Sequence, residues 1–238
     1  MNNVLQISAM ANARIASAQA SVTHNLANTG TTAFKADLFY AERGYATSSE
    51  SGKSSVDLRA GNMAYTGRDL DIAILGEGWM QVVTPGGEEV LSRRGDLRID
   101  AAGTLVDAEQ NQIMGDAGLI TVPEGARVTI AADGTVSHIP RGENASATVI
   151  SGRILLVNPD PETLSKGIDG NIRADTTANL EPTADVQLAV GALETSNVNP
   201  IASMVQMIEL SRSFESHIQT MKSADELDAS SASLMRLE

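Results

Sequence analysis

Few residues of this chain have types and spacing that could carry chemistry. The 238 residues include three histidines and no cysteine. Without cysteine, a thiol nucleophile, a disulfide scaffold and a Cys-based metal centre are impossible. His24, His138 and His217 fall on three different predicted elements, and none has a companion at metal-ligand spacing. We therefore expect no metal centre and no cofactor.

Two motifs invite a catalytic interpretation, and each has a simpler one. Asp69 and Asp71 lie two residues apart on a predicted strand, so they share a face and could form an acid/base pair. Acidic residues are routine, however, on the solvent face of an amphipathic strand. The GEGW stretch at 76–79 lacks the third glycine of a dinucleotide fingerprint and the lysine of a P-loop, which favours a tight turn that displays Trp79. With no G-x-S-x-G elbow either, we predict that the protein is not an enzyme.

Composition excludes further classes of protein. The formal net charge is −13 and aromatic residues make up 3% of the chain, so the surface would repel nucleic-acid phosphates and offer few rings for base stacking. Apolar residues make up 42%, which is enough for a folded core. We expect no stable membrane insertion, because no run of about 20 apolar residues occurs. The basic start and apolar run of a cleaved signal peptide are also absent from the amino-terminal residues.

The elements that must position these residues follow from the distribution of glycine and proline. Residues 1–29 and 201–238 contain neither, whereas the central part is punctuated by both. Apolar residues at helical spacing predict one helix over 3–28 and another beginning near Asn199-Pro200. The predicted interface residues are Val4, Ala11, Ile15, Ala18 and Val22 on the first helix, and Ile201, Met204, Val205, Ile208, Phe214, Ile218 and Met221 on the second.

The residue pattern of the central part is typical of β structure. Apolar and polar residues alternate over 70–74, and Asp133-Gly134 is a strong hairpin signal. We expect an α+β fold in which long N- and C-terminal helices form an antiparallel coiled-coil-like stem beside a central irregular antiparallel β domain. Further strands are predicted at 79–83, 97–100, 104–106, 127–130, 135–139, 153–157 and 186–190.

These patterns divide the chain into four segments. Residues 1–35 are predicted to form an N-terminal assembly helix and turn, and residues 36–68 an extended connector. Residues 69–190 form the central β domain, and residues 191–238 a junction and C-terminal assembly helix. The polar segments at 25–35 and 191–200 are suited to capping helix ends, and we expect both where the helices meet the β domain.

The two polar segments also resemble a known family. Their residues are similar to the N-terminal and C-terminal signatures of bacterial flagellar basal-body rod and hook axial proteins. Between them, DIAI at 71–74, GEGW at 76–79, RGDL at 94–97 and GTLV at 103–106 resemble that family's core motifs in the same order. Length and a short central domain make the chain most similar to proximal-rod members. The signature residues are Asn25, Leu26, Ala27, Asn28, Thr31, Phe34 and Lys35 at one end, and Gly191, Leu193, Glu194, Ser196, Asn197 and Val198 at the other.

The resemblance implies a structural subunit of the proximal rod that polymerises through its terminal helices into the axial drive shaft and transmits torque. It implies partnership with other rod proteins, with copies of the same chain and with the flagellar type III export apparatus. The implied location is the periplasmic rod of the basal body, reached without a cleaved signal peptide. A distal-rod or hook subunit of the same family is one alternative, and a secreted β-rich binding protein with a helical stalk is another.

Three positions depart from the family pattern. Ala33 stands where the family usually has glycine, which disfavours a turn with positive φ. Leu97 replaces a usual phenylalanine, so the core must absorb a change in size. His24 stands where an asparagine is common.

Overall fold

A computed structural model describes residues 2–39, 54–142, 147–167, 169–175 and 177–234. Within these ranges the chain has two long helices, α1 (Asn2–Ala27) and α2 (Pro200–Leu234), and a short 3-10 helix, Pro161–Thr163. The strands are β1 (Asp37–Phe39), β2 (Ser54–Val56), β3 (Met63–Tyr65), β4 (Ile72–Leu75), β5 (Trp79–Val83), β6 (Glu89–Ser92), β7 (Arg98–Ile99), β8 (Leu105–Val106), β9 (Gln112–Gly115), β10 (Gly118–Leu119), β11 (Arg127–Ile130), β12 (Thr135–Ile139), β13 (Val149–Arg153), β14 (Leu156–Val157), β15 (Leu164–Lys166), β16 (Ile172–Ala174), β17 (Gln187–Val190) and β18 (Ala192–Glu194).

Local hydrogen bonds mark the start of α2 and the end of α1. The Asn199 side-chain oxygen accepts hydrogen bonds from the backbone N–H groups of Ile201 and Ala202, at 3.0 and 3.1 Å, so Asn199 caps α2, which begins where the sequence predicts. At its carboxyl end, α1 stops at Ala27, and the backbone N–H of Asn28 donates to the His24 carbonyl. No helix in the described ranges is long and apolar enough to cross a membrane.

The described residues form two compact units. The helical unit contains α1, β1 and α2. The β unit contains Gly30–Lys35 and Val56–Asn197. Both signature segments therefore contribute residues to the β unit, and only their outer parts belong to the helical unit.

Antiparallel pairing organises the β unit. Its main sheet has the strand order β15-β16-β6-β5-β9-β8-β7, with β10 paired to β9 and β14 paired to β5. A second sheet has the order β11-β12-β13, and two ribbons pair β17 with β4 and β18 with β3. The predicted hairpin at Asp133-Gly134 is confirmed, because Ile130 pairs with Val136 across that turn and Gly134 has φ +85°.

One large apolar cluster fills the β unit. Ile72, Met80 and Leu97 are among its fully buried side chains. Leu97 thus takes a core position with its smaller side chain in place of the family's usual phenylalanine. Trp79 belongs to a second, smaller cluster and is 6% exposed. The expectation that the 76–79 turn displays Trp79 is therefore wrong.

The predicted coiled-coil-like stem is also wrong, and the fold is α+β only in the broad sense that two helices accompany a mostly antiparallel sheet. Polar residues of α1 donate side-chain hydrogen bonds to α2. The Asn12 amide donates to the Met221 sulfur at 3.3 Å, and the Gln19 amide to the Ser211 hydroxyl at 3.5 Å. An apolar stripe on a sequence predicts that a face will be covered, but not that the covering contact is a coiled coil.

The predicted interface residues accordingly have different environments. On α1, Ala18 and Val22 are buried, Ala11 and Ile15 are half-buried, and the side chain of Val4 lies outside the described set. On α2, two residues are half-buried and five are exposed. The half-buried ones are Ile218 and Met221, and the exposed ones are Ile201, Met204, Val205, Ile208 and Phe214.

Candidate functional site

A buried carboxylate lies where four segments of the β unit meet. Glu194 is 2% exposed and ends strand β18, whose alternation also turns Ala192 inward. One Glu194 oxygen accepts from Lys35 Nζ at 2.7 Å and from the Gly61 N–H at 2.9 Å. The other accepts from Arg93 Nε at 2.7 Å. We call Lys35, Arg93 and Glu194, with the Gly61 amide, the clasp.

The two cations of the clasp are themselves tied to backbone carbonyls. Lys35 Nζ donates to the Arg59 carbonyl at 2.8 Å. Arg93 donates from its two terminal nitrogens to the carbonyls of Gly78 and Gly76, at 2.8 and 2.9 Å. The glycine turn that resembled a phosphate loop thus supplies acceptors to an arginine, and its role here is to hold Arg93 in place.

The only tryptophan of the chain packs against both cations. Lys35 Nζ lies 5.9 Å from the Trp79 ring centroid, and Arg93 Cζ lies 5.7 Å from it. Both distances fall within the range of cation–π attraction. Trp79 therefore covers the clasp and shields it from water.

Burial and charge have opposing effects on the acid–base properties of the clasp. Burial alone would raise the pKa of Glu194, but the charges of Arg93 and Lys35 and the hydrogen bonds to the carboxylate outweigh it, so this pKa lies below its ordinary value. Burial lowers the pKa of Lys35, and the Glu194 charge only partly offsets it. Glu194 remains ionised at neutral pH and serves as the shared counter-ion of two buried cations.

Backbone hydrogen bonds join the two signature segments beside the clasp. The Ala33 N–H donates to the Glu194 carbonyl at 2.8 Å, and the Asn197 N–H donates to the Phe34 carbonyl at 3.2 Å. The Asn197 side-chain amide donates to the Asp57 carbonyl at 2.8 Å. Segments distant in sequence are thereby fixed to one another.

Two backbone features allow this close packing. Ala33 has φ +54°, so the left-handed turn is present even though alanine replaces the usual glycine. Gly61 approaches the Thr195 carbonyl so closely that a Cβ atom there would lie 1.9 Å from its oxygen. Only glycine fits at this point without a shift of the backbone.

The remaining residues of the N-terminal signature lie at the end of α1 and in the turn after it. The Asn25 side chain donates to the Asp37 carbonyl at 2.9 Å and accepts from the Asp37 N–H at 2.8 Å. His24 Nδ1 is 2.5 Å from the Asp37 carboxylate. The other positions are Leu26 and Asn28, which are half-buried, Ala27, which is exposed, and Thr31, whose carbonyl accepts from the Phe34 N–H.

The C-terminal signature extends along β18 and beyond it. Gly191 has φ +74°, and its N–H donates to the Asp71 carbonyl at 2.7 Å. Leu193 pairs with Ala64 of β3 and is half-buried. Ser196 is buried and Val198 is half-buried.

The structure separates the other residues considered for chemistry. Asp71 is 1% exposed and accepts from the Thr66 hydroxyl at 2.6 Å, whereas Asp69 is exposed, so the two do not share an environment. His138 contacts the Ser151 hydroxyl at 2.7 Å, and His217 lies half-buried on α2. Within the described ranges, no cluster of three or more His, Asp or Glu side chains is arranged to hold a metal ion.

Sequence reasoning missed Arg93, although it lies next to the RGDL motif. A signal for it was present in β18, because Glu194 occupies an inward position of an apolar strand. A buried acid requires a cation or several donors. The pattern could thus have predicted a partner for Glu194, but not which of the chain's 17 lysines and arginines supplies it.

Comparison with known proteins identifies relatives over most of the chain. Residues 189–234 match the family model described as flagellar basal body rod FlgEFG protein C-terminal, and residues 73–138 match the flagellar hook protein FlgE/F/G D1 domain. The flagellar basal-body rod protein FlgF of Escherichia coli (strain K12) is 38% identical over 225 residues, covering 87% of this chain and 88% of the relative. FlgF of Salmonella typhimurium is 32% identical over 236 residues, covering 92% of each. FlgG of Buchnera aphidicola (subsp. Acyrthosiphon pisum) is 29% identical over 175 residues, covering 70% of this chain and 65% of the relative.

Proposed function

This chain belongs to the family of flagellar basal-body rod proteins, and on that premise we propose that it is a structural subunit of the proximal rod, most similar to FlgF. The observation that carries the proposal is the match to FlgF relatives over nearly the whole length of both proteins. The FlgG relatives, which support the distal-rod alternative, are less similar than these two FlgF proteins, at 27–29% identity, although one of them is matched over 87% of this chain and 89% of its own length.

The exposed apolar residues of α2 support polymerisation through the terminal helices. Ile201 is 74% exposed, and Met204, Val205 and Ile208 are each more than half exposed. These residues recur at intervals of three and four, so they share one face of the helix. A contiguous apolar face on a protein surface is typical of an interaction site. We propose that neighbouring rod subunits cover it, in contacts that repeat along an open helical assembly.

The proposal extends to the partners, the location and the activity of the protein. The partners would be other rod proteins, further copies of this chain and, during secretion, the flagellar type III export apparatus, with no nucleic acid and no stable membrane insertion. The location would be the periplasmic part of the basal body. The role would be to transmit torque, with no catalytic step. The signature residues and the predicted interface residues of the two helices would serve assembly. The chain would be divided into the four segments predicted from its sequence.

A substitution on the exposed face of α2 tests the assembly proposal. Ile208→Asp should leave the monomer's free energy of unfolding within about 0.5 kcal/mol of the parent, because the side chain is exposed. It should nevertheless abolish swimming when it replaces the parent gene, because a charge would have to be buried between subunits. Gln206→Asp, which places the same charge on an exposed polar position of the same helix, is the matched control and should swim. Normal swimming of the Ile208→Asp strain would contradict the proposal.

A further inference from the structure

The two signature segments run side by side in the same direction within the β unit. Ala33 is bonded to Glu194, and the next residue, Phe34, is bonded to Asn197. Residue numbers therefore increase together along both segments. This is a short parallel arrangement in a unit whose strand pairs are antiparallel.

Parallel segments respond to tension in a particular way. The chain leads toward α1 from the amino end of segment 30–35, and toward α2 from the carboxyl end of segment 191–197. Tension that draws these two exits apart pulls the segments in opposite directions along their own length. The contacts between them are then loaded together, in shear. An antiparallel pair pulled from adjacent ends would instead lose its contacts one after another.

The strongest contacts of the site join these two segments, so they are the contacts that shear would load. Lys35 of one segment and Glu194 of the other form an ion pair in which both side chains are at most 3% exposed. Glu194 is held to the body of the β unit by Arg93 and by the Gly61 amide. Lys35 is held to it through its carbonyl, which accepts from Lys166 Nζ at 2.7 Å. Sliding of either segment would separate buried charges that have no water to replace their partners.

We propose that the clasp is a mechanical clamp, which keeps the two chain exits of the β unit together when the terminal helices are under load. The proposal rests on the proposed rod function for its biological purpose only, because the mechanical property belongs to the isolated chain. A chain could assemble into rods without a clamp, or contain a clamp and never enter a rod, so the two proposals fail separately.

Single-molecule pulling on the full chain tests the clamp. Because the chain has no cysteine, pairs of introduced cysteines attach handles at unique sites. Handles at Ala27→Cys and Ala202→Cys, both exposed, load the clasp in shear. Handles at Ala102→Cys and Ala132→Cys, exposed positions within the β unit, load other strands. The measurement is the lifetime of the β unit at constant force in each geometry, for the parent and for Glu194→Gln.

The clamp predicts an effect that depends on geometry. With handles at 27 and 202, Glu194→Gln should shorten the lifetime by on the order of tenfold or more, whereas with handles at 102 and 132 the change should be several times smaller. Arg173→Gln, which removes a charge from the exposed cluster with Glu88 and Asp169, is the control and should have no such dependence. If Glu194→Gln does not fold, Lys35→Met supplies the same test while retaining the Arg93–Glu194 pair. Equal shortening in both geometries, or none in either, would overturn the proposal.

Discussion

Glu194 is the residue on which the clasp depends, because one carboxylate neutralises two buried cations. Removing either cation leaves Glu194 with the other, whereas removing Glu194 takes away the carboxylate that pairs directly with both Lys35 and Arg93. Leaving a buried charge uncompensated typically costs about 3–5 kcal/mol. The position of Glu194 within the signature is thus explained by folding of the β unit, before any contact with another subunit is considered.

At Ala33, alanine adopts a backbone conformation that is unfavourable for any residue with a Cβ atom. Its φ of +54° carries a steric cost that glycine does not have, of about 1–2 kcal/mol. Glycine loses more backbone entropy on folding, by roughly 0.5–1 kcal/mol, and lacks the buried methyl group of Ala33, worth about 0.8 kcal/mol, so both effects offset part of the gain. Ala33→Gly should therefore raise the free energy of unfolding by up to about 1 kcal/mol, measured by urea denaturation.

The same reasoning predicts the effect of a second substitution to glycine and identifies a control for Ala33→Gly. Gln110 has φ +68°, so Gln110→Gly should also stabilise the protein. Ala102 is exposed and is not among the residues with positive φ, so Ala102→Gly should have no stabilising effect. A loss of stability in Ala33→Gly would mean that the turn tolerates alanine without strain.

The helices and strands differ in how far the sequence predicts them. The β11–β12 hairpin was predicted to the residue, because alternation and an Asp-Gly turn act over a few neighbouring positions. The pairing of α1 with α2 was predicted, but the side chains that make the contact were not all predictable, because helix packing depends on which side chains meet in three dimensions. Ala18 was among the predicted interface residues and is buried, whereas polar residues such as Asn12 and Gln19 do not stand out as an interface in a linear sequence.

The helix pair should be sensitive to side-chain size on the face where small residues are buried. Ala18 is 7% exposed in α1, so Ala18→Leu would force a larger side chain into a packed contact. Overpacking of this kind typically costs about 1–3 kcal/mol. We expect Ala18→Leu to lower the free energy of unfolding of the helical unit by that amount, measured by circular dichroism at 222 nm, the wavelength used for helix.

Ala20→Leu is the matched control for Ala18→Leu, because Ala20 lies on the same helix with its side chain exposed. Its effect should remain within about 0.5 kcal/mol, as for most surface substitutions. Equal effects of the two substitutions would show that the contact between α1 and α2 does not depend on small side chains.

At the scale of the whole molecule, charge and apolar exposure are divided between different parts of the chain. Of the net charge of −13, residues 41–194 carry −11, so the terminal segments are close to neutral. The terminal helix α2 is also where several large apolar side chains are exposed. Acidic surfaces of neighbouring copies would repel one another, while the near-neutral helices would not. This division fits a subunit that associates through its helices.

The family of the chain was predictable from sequence because its two signatures are short, local and specific. The relation between those signatures was not, because Lys35 and Glu194 are separated by 159 positions and meet only through the fold of the β unit. Arg93 completes the site from a third segment. Long-range pairs of this kind are fixed by topology, which no local pattern encodes.

Electron cryo-microscopy of basal bodies tests the central claim most directly. Cells of the parent bacterium that lack this gene would be imaged beside cells that carry the gene on a plasmid. The account predicts that the deletion strain has no rod and nothing distal to it, and that the plasmid restores both. A complete rod with a hook attached in the deletion strain would contradict it.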